Sequence, residues 1–502
     1  MSSAAKSELT TLAVSGAGWM FASTILGRAI AVLGQVGIGW LLTPAEFGVW
    51  ALALSMATAV VSLRNGGTTQ ILVQRGADFP REAQFFLRYS LLFNTFAAAI
   101  LVGLSAPYLA RHSAVGLALL GIALSLPLAT PAMLYRTKLT IAGGFRALAM
   151  LNLGSSTLWQ IGVFTLAYAG MGAASFACAP ILQVLFEALA GRFAAGKLPS
   201  ESPSRTFADY VALFRQSRWV MMSGAVLSLA TTGDYFAVGM LTNMNTVGIY
   251  YFAFQTVVTL NMPMYNGLDS VLPTMLVRLN EDSPRQMAAL ARAVRSIMVV
   301  ALPLAITFAL ATPLVIHLLW HGKWDVAIVP TQILAACVPA WLIIHSTRAL
   351  LEARGHWRLR FGLLAVNGVG GITSAAIGTF FVSVGDIALS VACFYVSFAA
   401  GALFALSRLG LPLREIPNIA LQPLLLNGGA LALTLAARYW MLPRAADGIT
   451  AVIAASMFVV LAGIGNSLLF KEVWLELLRG LTHALRRRAA NRERKQPSGA
   501  FS

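Results

Sequence analysis

Two arginines stand inside segments that are otherwise almost wholly apolar. Arg28 lies about 13 residues into a run at 15–42, near the middle of any helix that crosses a bilayer there. A charge at that depth costs at least a few kcal/mol unless it faces protein or a watery cavity. Thr24 precedes it by four residues and Gln35 follows by seven, so the three share a helix face, and that face is expected to line a cavity. Arg64 comes toward the end of a second run, at 46–74, immediately before Asn65, Gly66 and Gly67. Adjacent glycines weaken a helix by about 1 kcal/mol each and permit a bend, which leaves Arg64 and Asn65 either in the cavity or reaching for the interface. Guanidinium groups present a planar fork of donors that matches phosphate oxygens and stays charged when desolvated. The chemistry these positions suit is therefore the binding of a phosphorylated anion.

A longer polar stripe runs through Tyr251, Gln255, Thr259, Met262, Asn266 and Asp269. Tyr251 and Asp269 are 18 residues apart, which is five helical turns, so the whole ladder points one way. It suits a hydroxyl-rich ligand, or else a polar seam between helices. Pro263 interrupts the ladder and is expected to kink it. Asp234, in Thr231-Thr232-Gly233-Asp234-Tyr235, is the other deep carboxylate, open to a coupling cation or proton or to an arginine partner. Glu187 and Arg348 lie nearer span ends and read as structural.

The elements that must hold these groups follow from composition. Of 502 residues, 58% are hydrophobic and only 11% charged, and the mean hydropathy is +0.74. A soluble chain of this size carries about 25% charge, so lipid must replace the missing polar surface. The backbone of such a chain crosses the bilayer as helices of roughly 20 residues. Fourteen such runs are present, from 15–42 and 46–74 through to 419–441 and 448–470. The first remains as a span, since it lacks a small-residue cleavage motif. Thirty of the 36 Lys and Arg residues fall in alternate gaps or the two ends, which places both termini in the cytoplasm. The net charge of +17 is thus distributed as topology signals and forms no nucleic-acid face. No gap is long enough for a soluble catalytic domain, and no acid–base constellation is placed for catalysis: His317 and His321 have only Asp325 nearby. Cys178, Cys337 and Cys393 show no metal or redox spacing and read as small core residues. After 470, Trp474, Leu477, Leu478, Leu481 and Leu485 precede a cluster from Arg486 to Lys495, the pattern of a basic amphipathic helix on an anionic leaflet.

The gap after the first span reads Leu42-Thr43-Pro44-Ala45-Glu46-Phe47-Gly48-Val49-Trp50, and the gap after the seventh reads Leu241-Thr242-Asn243-Met244-Asn245-Thr246-Val247-Gly248-Ile249-Tyr250. Gly48 and Gly248 are 200 residues, or six spans, apart. An even number of spans gives both halves the same topology, with a substrate site expected between them. The expected organisation is a six-helix lobe at 1–195, a cytoplasmic linker at 196–216, a second lobe at 217–408, two added helices at 419–470 and the tail at 471–502.

These two motifs, with Arg64-Asn65-Gly66-Gly67, resemble the polysaccharide flippases, the Wzx or PST branch of the MOP superfamily, over essentially the whole chain. The resemblance implies an all-α, MATE-like membrane fold. It implies an alternating-access carrier, not an enzyme, that moves an undecaprenyl-diphosphate-linked oligosaccharide to the periplasmic leaflet of a bacterial inner membrane. Membrane lipids and the glycan are then partners, with the polysaccharide polymerase and chain-length machinery as candidates; no cofactor or metal is expected, and coupling is by proton or sodium. Lipid II flippases, related in fold, carry cavity arginines on helices one, two and eight. Arg28 and Arg64 match the first two, whereas span eight offers Asp269. Their sodium site uses an Asp on helix seven and an Asn and Asp one turn apart on helix eleven. Asp234 and Asn367 match two of these, but Gly371 stands in the third place, which speaks against sodium. Two other readings remain: a MATE-like drug exporter, disfavoured by a midplane arginine that repels cations, and a membrane polymerase or ligase, disfavoured by the missing catalytic constellation.

Overall fold

The computed structural model describes residues 3–199, 205–279, 282–381, 383–441, 447–473 and 475. Trp474 and the leucines and arginines of the predicted tail helix from 477 onward lie outside the described residues. The helices are α1 (Ser3–Leu41), α2 (Pro44–Val61), α3 (Thr68–Gln74), α4 (Phe79–Ala110), α5 (Ala114–Ile141), α6 (Phe145–Tyr168), α7 (Ser175–Ala195) and α8 (Phe207–Leu241). They continue as α9 (Met244–Arg278), α10 (Ser283–Trp320), α11 (Ile328–Ala336), α12 (Val338–Ala353), α13 (Trp357–Gly378), α14 (Val384–Arg408), α15 (Gln422–Met441) and α16 (Asp447–Leu469).

Each apolar run in the sequence coincides with one of these helices or a closely spaced pair. Among the described residues, 11 helices are long and apolar enough to cross a membrane, or 12 if α11 and α12, bent by 40° at Cys337, form one span. The chain is thus an all-α, multi-pass membrane protein. Fourteen spans are expected from the sequence. The two remaining runs coincide with α6 and α9, and both helices carry polar ladders that lower their hydropathy: Asn152, Ser155, Ser156 and Gln160 on α6, Gln255 and Thr259 on α9.

Two departures from the predicted boundaries have local causes. The second span is broken, because α2 stops at Val61 and Arg64–Gly67 forms a short 3-10 turn. Gly67, at φ +66°, takes the left-handed conformation that admits glycine without strain and starts α3. The segment to 216 expected as linker is helical from Phe207, where the Thr206 backbone N–H donates to Asp209 Oδ2 at 2.8 Å and caps α8.

The chain forms two compact units. One comprises residues 1–267, 316–334 and 356–395, the other 268–315, 335–355 and 396–502. In the first, α5 packs on α4 and α7, α6 on α1 and α7, and α8 on α2 and α13. In the second, α15 pairs with α16, and Phe458 is buried with Leu302, Ile306, Ala430 and Ala462.

The two repeat motifs meet inside the first unit. Each begins a helix at an N-cap: Glu46 Oε2 accepts from the Thr43 N–H at 2.6 Å, and Asn243 Oδ1 accepts from the Thr246 N–H at 2.9 Å. The helices then cross at their glycines. A methyl group built on Gly48 overlaps the Met244 carbonyl, and one built on Gly248 overlaps the Pro44 carbonyl. The contact is reciprocal at an offset of 200 residues, as a local two-fold relation requires. Phe47 packs edge-on against Phe252 and Trp324 beside the crossing, with centroids 6.1 and 5.0 Å away.

Candidate functional site

Four helices of the first unit, α1, α5, α6 and α7, surround two cavities with a common wall. One, of about 460 Å³, is lined by Thr24 and Arg28 of α1, Asn152, Ser156 and Gln160 of α6, and Gln183 of α7. The other, of about 630 Å³, is lined by Arg64, Arg136 of α5, Asn152, Ser155 and Ser156 of α6, and Gln183 and Glu187 of α7. Asn152, Ser156 and Gln183 face both. Through this shared wall the two adjoin as one polar chamber.

Arg28 is half-buried in this wall and makes no ion pair with an acid among the described residues. Its charge is turned to the cavity and not held in an acidic clasp. Arg64, placed by the 3-10 turn, has a buried Nε without a hydrogen-bond partner among the described residues. It lies within electrostatic reach of Glu187, which attracts it, and Arg136, which repels it. Arg136 Nη1 stands 3.6 Å from Glu187 Oε1, while its Nη2 donates to Asn152 Oδ1. Glu187 is buried; Ser155 Oγ donates to its Oε1 at 2.6 Å, and Gln183 Nε2 donates to Ser155 Oγ at 2.9 Å. Gln160 Oε1 is buried without a hydrogen-bond partner among the described residues. Among the described residues the chamber therefore holds three guanidinium groups, one carboxylate and a set of amides and hydroxyls, an arrangement able to bind an anion that also carries hydroxyl groups.

The other sequence candidates lie elsewhere. Gln35 donates through Nε2 to Thr256 Oγ1 at 2.9 Å, so it serves a contact with α9 and does not line the chamber with Arg28 as expected. Each residue of an α-helix turns 100°, so seven residues bring Gln35 close to Arg28's direction, and α9 covers that face at the level of Gln35. Tyr251 is buried, edge-on to Tyr235 at 5.2 Å, with Trp50 and Gln255 beside its hydroxyl. The side chains of Asn65, Asn266 and Asp269 lie outside the described residues.

Asp234 is buried in an aromatic setting. Its Oδ2 accepts from the Tyr250 hydroxyl at 2.9 Å and its Oδ1 from the Tyr235 N–H at 3.0 Å. No cation lies within ion-pair distance of it among the described residues. Asn367, on α13, has a buried Oδ1 without a partner among the described residues. Gly368 packs on Ala230 and Gly233 on Ile372 across the same helix contact, so Asn367 stands about one turn from the level of Asp234. The two share an interface but no hydrogen bond. No group of three or more His, Cys, Asp or Glu is placed to hold a metal among the described residues.

Sequence reasoning passed over Arg136, taken as a topology charge, Glu187, taken as structural, and the amides of α6 and α7. A signal was present: Asn152, Ser156 and Gln160 recur every four residues, and Gln183 and Glu187 are four apart. That is the same test that marked Tyr251 and Gln255.

A helical membrane fold with a cationic chamber in its core defines a class before it defines a protein. A solved structure described as lipid II flippase MurJ in an inward closed conformation superimposes with a TM-score of 0.70 at 12% identity, covering 90% of this chain and 99% of that one. A MATE protein in complex with MaL6 follows at a TM-score of 0.54 and 14% identity, covering 78% of this chain and 96% of that one. A MOP superfamily transporter from Pyrococcus furiosus gives 0.51 at 14% identity, covering 78% and 95%. The fold is the one these three transmembrane proteins share. The profile of the polysaccharide biosynthesis protein family matches residues 39–329, more than half of the chain, and the chain belongs to that family. No curated protein matches it in sequence.

Proposed function

We propose that the protein flips an undecaprenyl-diphosphate-linked oligosaccharide from the cytoplasmic to the periplasmic leaflet of a bacterial inner membrane. The observation that carries this reading is the chamber in which Arg28, Arg64 and Arg136 face one cavity system with, among the described residues, a single acid, Glu187. A diphosphate cannot cross hydrocarbon, because an uncompensated ion in a low-dielectric medium costs tens of kcal/mol. Guanidinium forks replace its hydration, while Asn152, Ser156, Gln160 and Gln183 suit sugar hydroxyls. The polyprenyl tail stays in lipid throughout. Tyr251 and Gln255, with Asn65, Asn266 and Asp269, belong to this reading as further contacts to the glycan, and Asp234 with Asn367 as the coupling-ion candidate.

In this reading the chain crosses the membrane fourteen times with both termini in the cytoplasm. Lobes at 1–195, whose helices line the chamber, and 217–408 move against each other in alternating access, with 419–470 as added helices. The MATE-like relatives invite a drug-exporter reading, but three guanidiniums against one carboxylate repel cationic drugs. The test is Arg28→Ala in a strain lacking the chromosomal copy. Surface polysaccharide is expected to disappear and lipid-linked oligosaccharide to accumulate on the inner leaflet, with the protein at its normal level. Polysaccharide retained at the wild-type level removes Arg28 from the mechanism.

A further inference from the structure

We propose that Glu187 is a resident counter-anion of the chamber, occupying Arg136 and Arg64 until the substrate diphosphate takes its place. This rests on the transport reading above and assigns a role to the carboxylate that the reading leaves without one. The carboxylate is buried on α7 and faces the cavity that both arginines line.

The way it is held separates it from an ordinary structural salt bridge. Charge-assisted N–H···O contacts close to about 2.7–2.9 Å. Glu187 lies 3.6 Å from Arg136, and its short contact of 2.6 Å is to the neutral hydroxyl of Ser155. Ser155 and Gln183 thus keep the carboxylate in position whether or not an arginine is present. Arg136 is anchored separately, by donation to Asn152. The arginine can therefore turn toward another anion without breaking a close ion pair or leaving Glu187 unbonded.

The donor inventory agrees. Each guanidinium has five N–H groups and no acceptor. Arg64 Nε finds no partner among the described residues, and Arg136 directs its two terminal nitrogens at Glu187 and Asn152. Capacity for phosphate oxygens is left over. Electrostatics supplies the reason for the acid. An empty chamber with three bare guanidiniums repels itself, and the same excess charge would hold a diphosphate too firmly for release. One carboxylate lowers both effects, because binding must displace its attraction and release restores it.

The experiment measures binding of inorganic pyrophosphate to the purified full-length protein by calorimetry. Glu187→Gln keeps an oxygen for Ser155 and removes the charge. It is expected to bind pyrophosphate about tenfold more tightly than wild type, below or at the lower end of what a close charge pair contributes, as the 3.6 Å separation requires. In cells it is expected to export polysaccharide more slowly. In an Arg136→Gln background the gain is expected to shrink, since the pair acts as one unit. Equal or weaker binding by Glu187→Gln, with wild type binding measurably, overturns the counter-anion role and leaves the flippase reading standing. Binding by neither protein overturns both. Should Glu187→Gln fail to fold, Glu187→Asp, which draws the charge back by one methylene, is expected to show a smaller gain of the same sign, and no gain there overturns the proposal.

Discussion

Alanine at Gly248 measures directly how tightly the two repeat motifs are packed. The added methyl group overlaps the Pro44 carbonyl and also crowds the Gly48 amide. Both obstacles are backbone, so no side-chain rotation relieves them, and α2 and α9 must separate. Overpacking typically costs 1–3 kcal/mol, and a rigid obstacle places this case at the upper end; alanine's better helix propensity returns about 1 kcal/mol. The net expectation is a loss of about 2 kcal/mol. Gly48→Ala meets the Met244 carbonyl in the same manner and is expected to lose as much. The double variant is expected to lose less than the two together, since one separation relieves both overlaps. Gly401 in α14 is the control, because nothing lies within 4 Å of a methyl group there, and Gly401→Ala is expected to be neutral or to gain up to about 1 kcal/mol. The assay is thermal unfolding of the purified protein followed by tryptophan fluorescence. A Gly248→Ala protein that unfolds at or above the wild-type temperature refutes the glycine crossing.

Tyr250→Phe removes the hydroxyl that donates to Asp234 Oδ2 and is expected to destabilise by about 1–3 kcal/mol. Adding Asp234→Asn is expected to recover part of that loss in the same melting assay, because no buried charge is then left short of a donor. Trp320 Nε1 donates to the Val36 carbonyl at 3.2 Å and Trp324 Nε1 to that of Gly39 at 3.0 Å, pinning the end of α1. Phenylalanine at either is expected to lower stability by about 1 kcal/mol from the hydrogen bond alone, with a further packing loss at Trp324, which stacks on Phe252 at 3.9 Å. Gln35→Ala is expected to lose about 1 kcal/mol of stability yet bind pyrophosphate like wild type, because Gln35 is engaged by Thr256; weakened binding would return it to the chamber.

The helices and their approximate ends are legible in the sequence because each depends on neighbouring residues. An apolar run long enough to span lipid must satisfy its backbone internally, a Thr43-Pro44-Ala45-Glu46 start caps itself, and the paired glycines after Asn65 permit the break seen at Gly67. Arg28 could be singled out for the same reason: the cost of a charge in an apolar run is a local property. The repeat was visible too, as two strings 200 residues apart.

What no string of residues could disclose is which faces meet. Gly48 and Gly248 mark equivalent places in the sequence, but only tertiary packing makes them touch one another. Arg136 and Glu187 sit in segments that read as a topology charge and a structural acid. They come together only when α5, α6 and α7 bring Arg136, Asn152, Ser155 and Glu187 to one wall. Gln35 shows the converse, a polar residue at the right spacing that a neighbouring helix claims for itself. Local chemistry decides whether a segment is a helix and whether a charge within it is costly; the partner that offsets that cost arrives from a distant part of the chain, and helix packing selects it.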